Sequence, residues 1–326
     1  MLPDRAFFDE NRADLYFLNT REVLSREGID PVVTMEVFPN GHGTLCGMAE
    51  VLENLAEVLP EDASVWALGE GQPMTRKEVV LRIRARYSSF GVYETAYLGT
   101  LAQKSGWATA ARACVEAAAG IPVISFGARH VHPAISDQME YSALVGGCSG
   151  CATPAGARLA GHEPTGTMPH ALMLIMGDTL TAARAFDRHM PESIRRIVLA
   201  DTFMDEMEES VRLARKMGGR LLGVRLDTPS ELGGVTPDLV SRVRSGLDRA
   251  GHREVKIYVS GGMTPERIRE FVAKGSAVDG FGVGSAISGA SPIDFTSDIK
   301  AVGRRSVAKR GRKPGLTENT RLRSVH

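Results

Sequence analysis

The sequence predicts an α/β fold in which a small α+β domain precedes a larger domain built on a parallel sheet. Short apolar runs alternate with polar helical stretches in the second half of the 326-residue chain, and most runs end in a polar or glycine-rich turn. The N-terminal part lacks this alternation. Repeated β–α units of about 25 to 35 residues indicate right-handed parallel crossovers, and therefore an α/β barrel or a doubly wound sheet.

The N-terminal region, residues 1–107, mixes helical and β-prone segments. A helix is predicted over "DLYFLNTREVLSREG", and strands are predicted over "VVTMEVF" and "VVLRIRARY". The alanine-rich stretch "AYLGTLAQKSGWATAARACVEAAAG" predicts a linking helix that ends near Gly120 and Pro122, because glycine and proline terminate helices. We therefore expect a separate α+β domain at residues 1–107.

The parallel-sheet domain is expected at residues 108–289. Its strands are predicted over "IPVISFGARH", "RRIVLADT", "RLLGVRLDT", "EVKIYVSGG" and "VDGFGVGSAI". Nearly continuous apolar runs are typical of strands that are buried on both faces. The stretches between them carry apolar residues at helical spacing, as at Val211, Leu213, Ala214 and Met217.

Charge and hydropathy exclude several classes of protein. The 39 basic and 39 acidic residues give a net charge of zero, so neither nucleic acid nor an anionic membrane is an expected partner. No apolar run approaches the ~20 residues that span a bilayer. Acidic residues occupy the region where a signal peptide would need an apolar core, so a cytoplasmic location is expected.

The cysteines and the C-terminal segment each allow two interpretations. Cys148 and Cys151 form a C-x-x-C pair, which is either half of a reactive site or two small side chains packed among glycines; the second is favoured, and no protein-held metal is predicted. Residues 290–326 are expected to join the N-terminal domain. From Lys300 the segment has nine Lys or Arg and one acid, Glu318, which suggests a nucleic-acid arm or, preferably, a final β-segment with a frayed end.

Candidate site residues follow the predicted strands, because ligands of parallel α/β folds bind at the carboxyl ends of strands. Arg129 and Arg225 suit a carboxylate or a phosphate, unless they form internal ion pairs. Asp201 and Asp227 are either helix N-caps or oxygen ligands for magnesium on a polyphosphate. The same edge of the sheet also receives His130 and Thr228.

Two glycine turns follow the last two strands. The first contains Ser260, Gly261 and Gly262, and the second contains Gly282, Val283 and Gly284. Glycine allows backbone N–H groups to approach an anion closely, and a following helix start favours negative charge. Each turn alone is a weak signal, but together on neighbouring strands they indicate a phosphate site.

The stretch "TGTMPHA", residues 165–171, places a histidine beside phosphate-binding residue types. Thr167 and the open backbone around Gly166 precede His170. A histidine in the first turn of a helix often only satisfies a local carbonyl group. Near a phosphate, an imidazole can instead donate a hydrogen bond, transfer a proton or accept a phosphoryl group.

Several ordered blocks resemble the nicotinate phosphoribosyltransferases, specifically their short archaeal-type members. The blocks cover about residues 11 to 315 and include "ADLYFLNTREVL", "FGVYETAYLGTLAQKSGWATAA", "SFGARHVHPAIS", "YSALVGGCSG", "GTMPHAL", "ADTFMDE", "VRLDTPS", "VSGG", "FGVGSAI" and "AKRGR". The resemblance implies an incomplete, TIM-like α/β barrel beside an α/β sandwich domain. It also implies a homodimer or a higher homo-oligomer with shared active sites.

The resemblance further implies the transfer of phosphoribosyl from phosphoribosyl pyrophosphate to nicotinate, with magnesium and with ATP as a co-substrate. Arg129 would bind the nicotinate carboxylate or the pyrophosphate, and Tyr16 of a second copy would stack on the pyridine ring. The glycine turns would hold the 5′-phosphate, and Asp201 and Asp227 would face the ribose or magnesium. His170 would be phosphorylated from ATP.

The sequence also departs from the family pattern. His130 stands where the family usually has a second arginine, and no cysteine-rich zinc ribbon is present, so no structural zinc is expected. Two other activities stay open: a sister transferase that acts on quinolinate or nicotinamide, and a binding protein for phosphosugars or nucleotides without catalysis.

Overall fold

The structure is a computed structural model that describes residues 7–325. Residues 1–6, which belong to the predicted N-terminal domain, and His326 lie outside the described residues. The chain divides into two compact units: unit 1 comprises residues 1–109 and 291–326, and unit 2 comprises residues 110–290. Across residues 7–325, no helix combines the length and the apolar character that a membrane crossing requires.

Strands and helices alternate along the second half of the chain. The helices are α1 (Leu15–Arg26), α2 (Met48–Val58), α3 (Tyr87–Phe90), α4 (Glu94–Ala117), α5 (Ser136–Val145), α6 (Pro154–Leu159), α7 (His170–Met176), α8 (Thr179–His189), α9 (Glu206–Met217), α10 (Pro237–Arg249), α11 (Pro265–Ala273) and α12 (Ser285–Ser288). The strands are β1 (Val32–Pro39), β2 (Gly43–Thr44), β3 (Ser64–Ala67), β4 (Pro73–Met74), β5 (Leu81–Arg86), β6 (Val123–Ser125), β7 (Gly150–Cys151), β8 (Ile197–Leu199), β9 (Gly223–Leu226), β10 (Lys256–Val259), β11 (Gly280–Val283), β12 (Phe295–Val302), β13 (Arg305–Ser306) and β14 (Arg323–Ser324).

Unit 1 is built on an antiparallel six-stranded sheet in the order β13-β12-β1-β5-β3-β14. Alternate residues of β1, Val33, Met35 and Val37, enter a core that also contains Val51 and Leu55 of α2. This alternation is typical of an antiparallel strand with one face on the core. The sandwich of sheet and helices agrees with the predicted N-terminal architecture.

The sequence suggested a frayed end, but the C-terminal segment is paired with the rest of unit 1 as far as Val325, whose N–H donates to Val65 O at 2.9 Å. Arg323 of β14 pairs with Ala67 of β3, and the Thr317 N–H donates to Oε1 of the buried Glu36 at 3.0 Å. Arg82 donates to the same carboxylate, at 2.7 Å from Nη2. Because a buried carboxylate needs several donors, these contacts fix the segment against the sheet.

Unit 2 is built on a parallel six-stranded sheet in the order β7-β6-β11-β10-β9-β8. The sheet curls but does not close, so the predicted incomplete barrel is confirmed, and the doubly wound alternative is not observed. Its central strands carry fully buried residues such as Val224, Ile257 and Phe281. The carboxyl ends of all six strands therefore meet at one edge, where the chain turns into loops.

The cysteines contribute to packing. Cys46, Cys114, Cys148 and Cys151 are all reduced thiols with buried side chains. Burial raises the pKa of Cys151 to about 12 and that of Cys114 to about 11. Since the thiolate is the reactive form, these protonated thiols behave as small core side chains, as the preferred interpretation of the C-x-x-C pair held.

Candidate active site

A cavity of about 670 Å³ opens at the carboxyl ends of the strands of unit 2. The predicted site residues that line it are Arg129, His130, Thr167, His170, Arg225, Asp227, Ser260, Gly261, Gly262, Gly282 and Gly284. These residues come from the ends of four strands and from the loop that precedes α7. The parallel sheet thus brings together residues that are up to 155 positions apart in the chain, between Arg129 and Gly284.

Four predicted site residues are not among those that line this cavity. Thr228 is buried, and its hydroxyl donates to Glu206 Oε1 at 2.7 Å. Val283 is a fully buried strand residue, so it offers only its backbone. Tyr16 lies in unit 1 with its side chain exposed. The fourth, Asp201, reaches the cavity through another residue.

Asp201 contacts the imidazole of His170. His170 is the first residue of α7, and its Nε2 lies 3.1 Å from Asp201 Oδ2. The Asp201 side chain is 2% exposed, whereas that of His170 is 37% exposed. Burial raises the pKa of Asp201, and the neighbouring His170 opposes this shift. A buried carboxylate on one ring nitrogen orients the imidazole and leaves Nδ1 available to a ligand.

The two aspartates are not helix caps, which was the alternative interpretation of the sequence. Asp205 caps α9 by accepting from the N–H groups of Met207 and Glu208, and Thr236 caps α10. Asp227 instead accepts a hydrogen bond from the Ser260 hydroxyl at 2.9 Å. Neither carboxylate therefore caps a helix. Asp227 lines the cavity, and Asp201 contacts His170, which lines it.

The two arginines differ in how far they are already paired. Arg225 donates to the Thr167 hydroxyl, lies 3.8 Å from Asp227 Oδ2, and stacks over the Phe126 ring at 5.6 Å. Burial lowers its pKa, and the Asp227 carboxylate opposes this shift. Arg129 is exposed and lacks an acidic partner within 4.0 Å among residues 7–325. The guanidinium of Arg129 is consequently the one available to an anionic ligand.

The glycine turns have geometries that other residues rarely adopt or could not adopt without shifting their neighbours. Gly261 and Gly262 have φ values of +86° and +62°, in the left-handed region that favours glycine. A Cβ on Gly282 would lie 2.4 Å from the Phe126 ring, and one on Gly284 would lie 2.7 Å from His130 Cε1. The turns therefore bring the backbone close to the cavity and to the side chains that line it.

Sequence reasoning missed Glu140, which supports a segment of the chain that leads into the cavity. Glu140 is fully buried and accepts from Thr153 N at 2.6 Å, from Thr153 Oγ1 at 2.8 Å and from Ala152 N at 3.2 Å. The neighbouring Cys151 carbonyl accepts from Thr165 N at 2.8 Å. These bonds hold both ends of segment 151–165, which leads into Thr167 and His170.

Phe126 and Thr165 also line the cavity and were missed. Phe126 follows β6 directly, so its position at a strand end is a signal by which the sequence could have identified it. For Glu140, in the middle of α5, the sequence offered no such signal.

This arrangement of an open parallel barrel with a cationic, glycine-rich cavity matches a known class of protein. The family model described as quinolinate phosphoribosyl transferase, C-terminal domain, matches residues 107–298, and that of the N-terminal domain matches residues 14–105. The chain belongs to the quinolinate phosphoribosyltransferase family.

Particular relatives carry two different names. A solved structure of nicotinate-nucleotide pyrophosphorylase from Pyrococcus furiosus is 40% identical, with a TM-score of 0.90 over 100% of this chain and 85% of that chain. A nicotinate phosphoribosyltransferase of Mycobacterium tuberculosis is 30% identical over 68% of this chain and 48% of its own length. A probable nicotinate-nucleotide pyrophosphorylase (carboxylating) of Archaeoglobus fulgidus is 25% identical over 80% of this chain and 92% of its own length. The chain spans about half the length of the Mycobacterium relative.

Proposed function

We propose that the chain transfers phosphoribosyl from phosphoribosyl pyrophosphate to nicotinate, giving nicotinate mononucleotide and pyrophosphate. The observation that carries this proposal is the cavity itself, in which the available Arg129 faces the same space as two glycine turns and the His170–Asp201 pair. A relative named nicotinate phosphoribosyltransferase supports transfer to nicotinate, whereas the relatives named nicotinate-nucleotide pyrophosphorylase support phosphoribosyl transfer and favour the second candidate acceptor given below.

The charges in the cavity best match an acceptor that carries one carboxylate. Arg129 is available, whereas Arg225 is already shared between Asp227 and Thr167. A bidentate guanidinium is well suited to a carboxylate, and Phe126 adds an aromatic surface beside it. A second acceptor carboxylate would demand a further cation, because the donor already brings several negative charges into the cavity.

The donor would be held by its phosphates. The 5′-phosphate would lie against the turns at Gly261–Gly262 and Gly282–Gly284, and the ribose hydroxyls would face Asp227. The Asp227 oxygens are of the kind that Mg²⁺ prefers, so Asp227 would hold magnesium together with the pyrophosphate, while Asp201 acts on the cavity through His170. The metal would neutralise the departing pyrophosphate. The protein's own part is to align the pyridine nitrogen with C1 of the ribose and to stabilise separated charge.

His170 would couple the transfer to ATP. With Nε2 held by a buried carboxylate, Nδ1 can attack a γ-phosphorus, so that an N–P bond forms while the bond to ADP breaks. Hydrolysis of the phosphohistidine would then return the imidazole and release phosphate.

We also propose that the working enzyme is a homodimer or a higher homo-oligomer in which a second copy supplies Tyr16.

Quinolinate is the second candidate acceptor, and the family model that matches the chain favours it. In that case transfer would be followed by loss of the second carboxyl group as carbon dioxide. The nicotinamide and purely binding alternatives lack such support. Nicotinamide would leave Arg129 without a carboxylate, and binding alone does not require the His170–Asp201 pair.

The deciding experiment offers nicotinate, quinolinate and nicotinamide separately to the purified protein with magnesium and phosphoribosyl pyrophosphate, with and without ATP. Mass spectrometry would measure mononucleotide, and labelled quinolinate would report carbon dioxide. We expect product from nicotinate, increased by ATP. Product from quinolinate with carbon dioxide release would transfer the assignment to the second candidate, and no product from any base would refute transferase activity.

A further inference from the structure

We propose that Arg267, which is not among the residues that line the cavity, is the positioning residue that aims the Gly261–Gly262 turn at a phosphate of the donor. Its Nη1 donates to Gly261 O at 3.0 Å and to Gly262 O at 3.3 Å, and its Nη2 donates to Val235 O at 2.7 Å. This inference rests on the proposed function, because it names the ligand of that same site as a phosphate group.

The planarity of the peptide bond makes these contacts directional. In a trans peptide the C=O and the following N–H point in opposite directions. When Arg267 binds the Gly261 and Gly262 carbonyls, the N–H groups of Gly262 and Met263 must point away from Arg267. Gly261, Gly262 and Met263 all line the cavity, so these N–H groups are directed into it.

The two N–H groups are also unused. No hydrogen bond within residues 7–325 has Gly262 N or Met263 N as its donor. Two successive unpaired amide donors, which follow the left-handed residues Gly261 and Gly262, offer an anion-binding concavity. The Arg267 guanidinium behind the turn adds positive charge to this concavity, although the side chain itself does not reach the ligand.

Arg267 also braces the turn against a second loop. Val235 lies in the segment between β9 and α10, which follows Asp227, whereas the glycine turn follows β10. A single planar guanidinium thus joins the loops after two neighbouring strands, which a lysine ammonium lacks the fork to do. The first turn of α11 holds Arg267 in place, because Thr264 Oγ1 accepts from Arg267 N at 3.3 Å.

The test measures binding of ribose 5-phosphate, which does not depend on transfer, to full-length wild type, Arg267→Ala and Arg267→Lys by calorimetry. Arg269→Ala is the control, because Arg269 lies on the same helix and pairs with Glu266 at the surface. We expect about tenfold weaker binding for both Arg267 variants, as lost donors to an anion imply, and no change for Arg269→Ala. In steady state, the KM for phosphoribosyl pyrophosphate should rise while the KM for the acceptor stays constant.

Three outcomes would overturn the inference or separate it from the proposed function. Unchanged ribose 5-phosphate binding in a folded Arg267→Lys protein would refute the role of Arg267 and leave the transferase proposal intact. Equal increases in both KM values would assign Arg267 a structural role only. If the binding of ribose 5-phosphate to wild type is weakened by the Arg267 substitutions but wild type transfers to no base, the inference holds and the proposed function fails. If Arg267→Ala does not fold, Arg267→Lys alone decides the result.

Discussion

The Nε2 atom of His170 lies 3.1 Å from Oδ2 of Asp201, and the two residues belong to different segments that the sheet edge brings together. His170 begins α7, whereas Asp201 follows β8. Asp201 Oδ1 and Thr202 Oγ1 are buried and lack a hydrogen-bond partner among residues 7–325. A buried acceptor without a donor is costly, so this corner of the site is prepared for a ligand or for water.

Asp201→Asn should reduce ATP stimulation by about tenfold or more, since a carboxylate that hydrogen-bonds and orients a functional histidine commonly contributes that much. The amide can occupy the same space but cannot stabilise positive charge on the imidazole. The measurement is the ratio of product formed with ATP to product formed without it. Asp205→Asn, which changes the nearby cap of α9, is the control and should leave this ratio unaltered. An Asp201→Asn enzyme with full stimulation would contradict the proposed relay.

Arg129→Ala should raise the KM for the acceptor by about tenfold, because the variant removes a charge-assisted pair with a carboxylate. Arg253→Ala provides the matched loss of charge, since Arg253 is exposed and precedes β10, at the opposite end of the strands. Steady-state kinetics with the donor saturating would separate the two variants. If both leave the KM unchanged, Arg129 does not hold the acceptor.

Gly282→Ala should lower the free energy of unfolding by about 1 to 3 kcal/mol, as overpacking in a core does. The new Cβ would lie 2.4 Å from the Phe126 ring and 3.1 Å from Ser260 Cβ. Gly219→Ala is the control, because nothing lies within 4 Å of its Cβ position. Equilibrium denaturation in urea would measure both. Equal stability of the two variants would mean that Phe126 can move aside.

Glu94 should make the stability of the protein depend on pH. Burial raises the pKa of Glu94 from 4.5 to about 7 in the folded state. Below about pH 4.5 the carboxyl is protonated in both states, so its neutral form contributes fully to stability, and this contribution is lost as the pH rises toward 7. Glu94→Gln stays neutral and should therefore gain stability over wild type through this window, on the order of 1 kcal/mol.

The measurement for Glu94 is the difference in unfolding free energy between Glu94→Gln and wild type at several pH values from 4 to 8. Glu57→Gln on the exposed side of α2 is the matched control for the substitution. A difference for Glu94→Gln that does not change with pH would show that the Glu94 carboxyl keeps its ordinary pKa in the fold.

The sequence predicted the parallel sheet and most of the cavity because both depend on strong local patterns. Apolar runs predict buried strands. Because ligands of parallel sheets bind at the carboxyl ends of the strands, residues that follow these runs, such as Arg129, Arg225 and Asp227, are predicted to share one site. The final β-segment predicted from Lys300 is present as the end of β12 and the short strands β13 and β14, but the pairing of β14 with β3 was not predicted, because the two strands are far apart in the chain.

The direction in which individual side chains point could not be predicted from the sequence. Thr228 follows Asp227 directly, yet it turns to Glu206 while Asp227 faces the cavity. Arg267 looked like an ordinary polar residue of α11, because its three carbonyl partners come from two loops that are joined only by the fold. Contacts of this kind depend on backbone geometry, which local periodicity does not encode.

The open edge of the parallel sheet has a consequence for how such a protein diversifies. Between β7 and β8, where a closed barrel would bring the edge strands together, the chain forms the loop and helices that carry Thr167 and His170. A loop can change in length and composition without breaking ladder hydrogen bonds, whereas the glycine turns follow strands that cannot shift. Under the proposed function, changes in this loop would alter one side of the cavity while the glycine turns on the strand ends keep the same phosphate contacts.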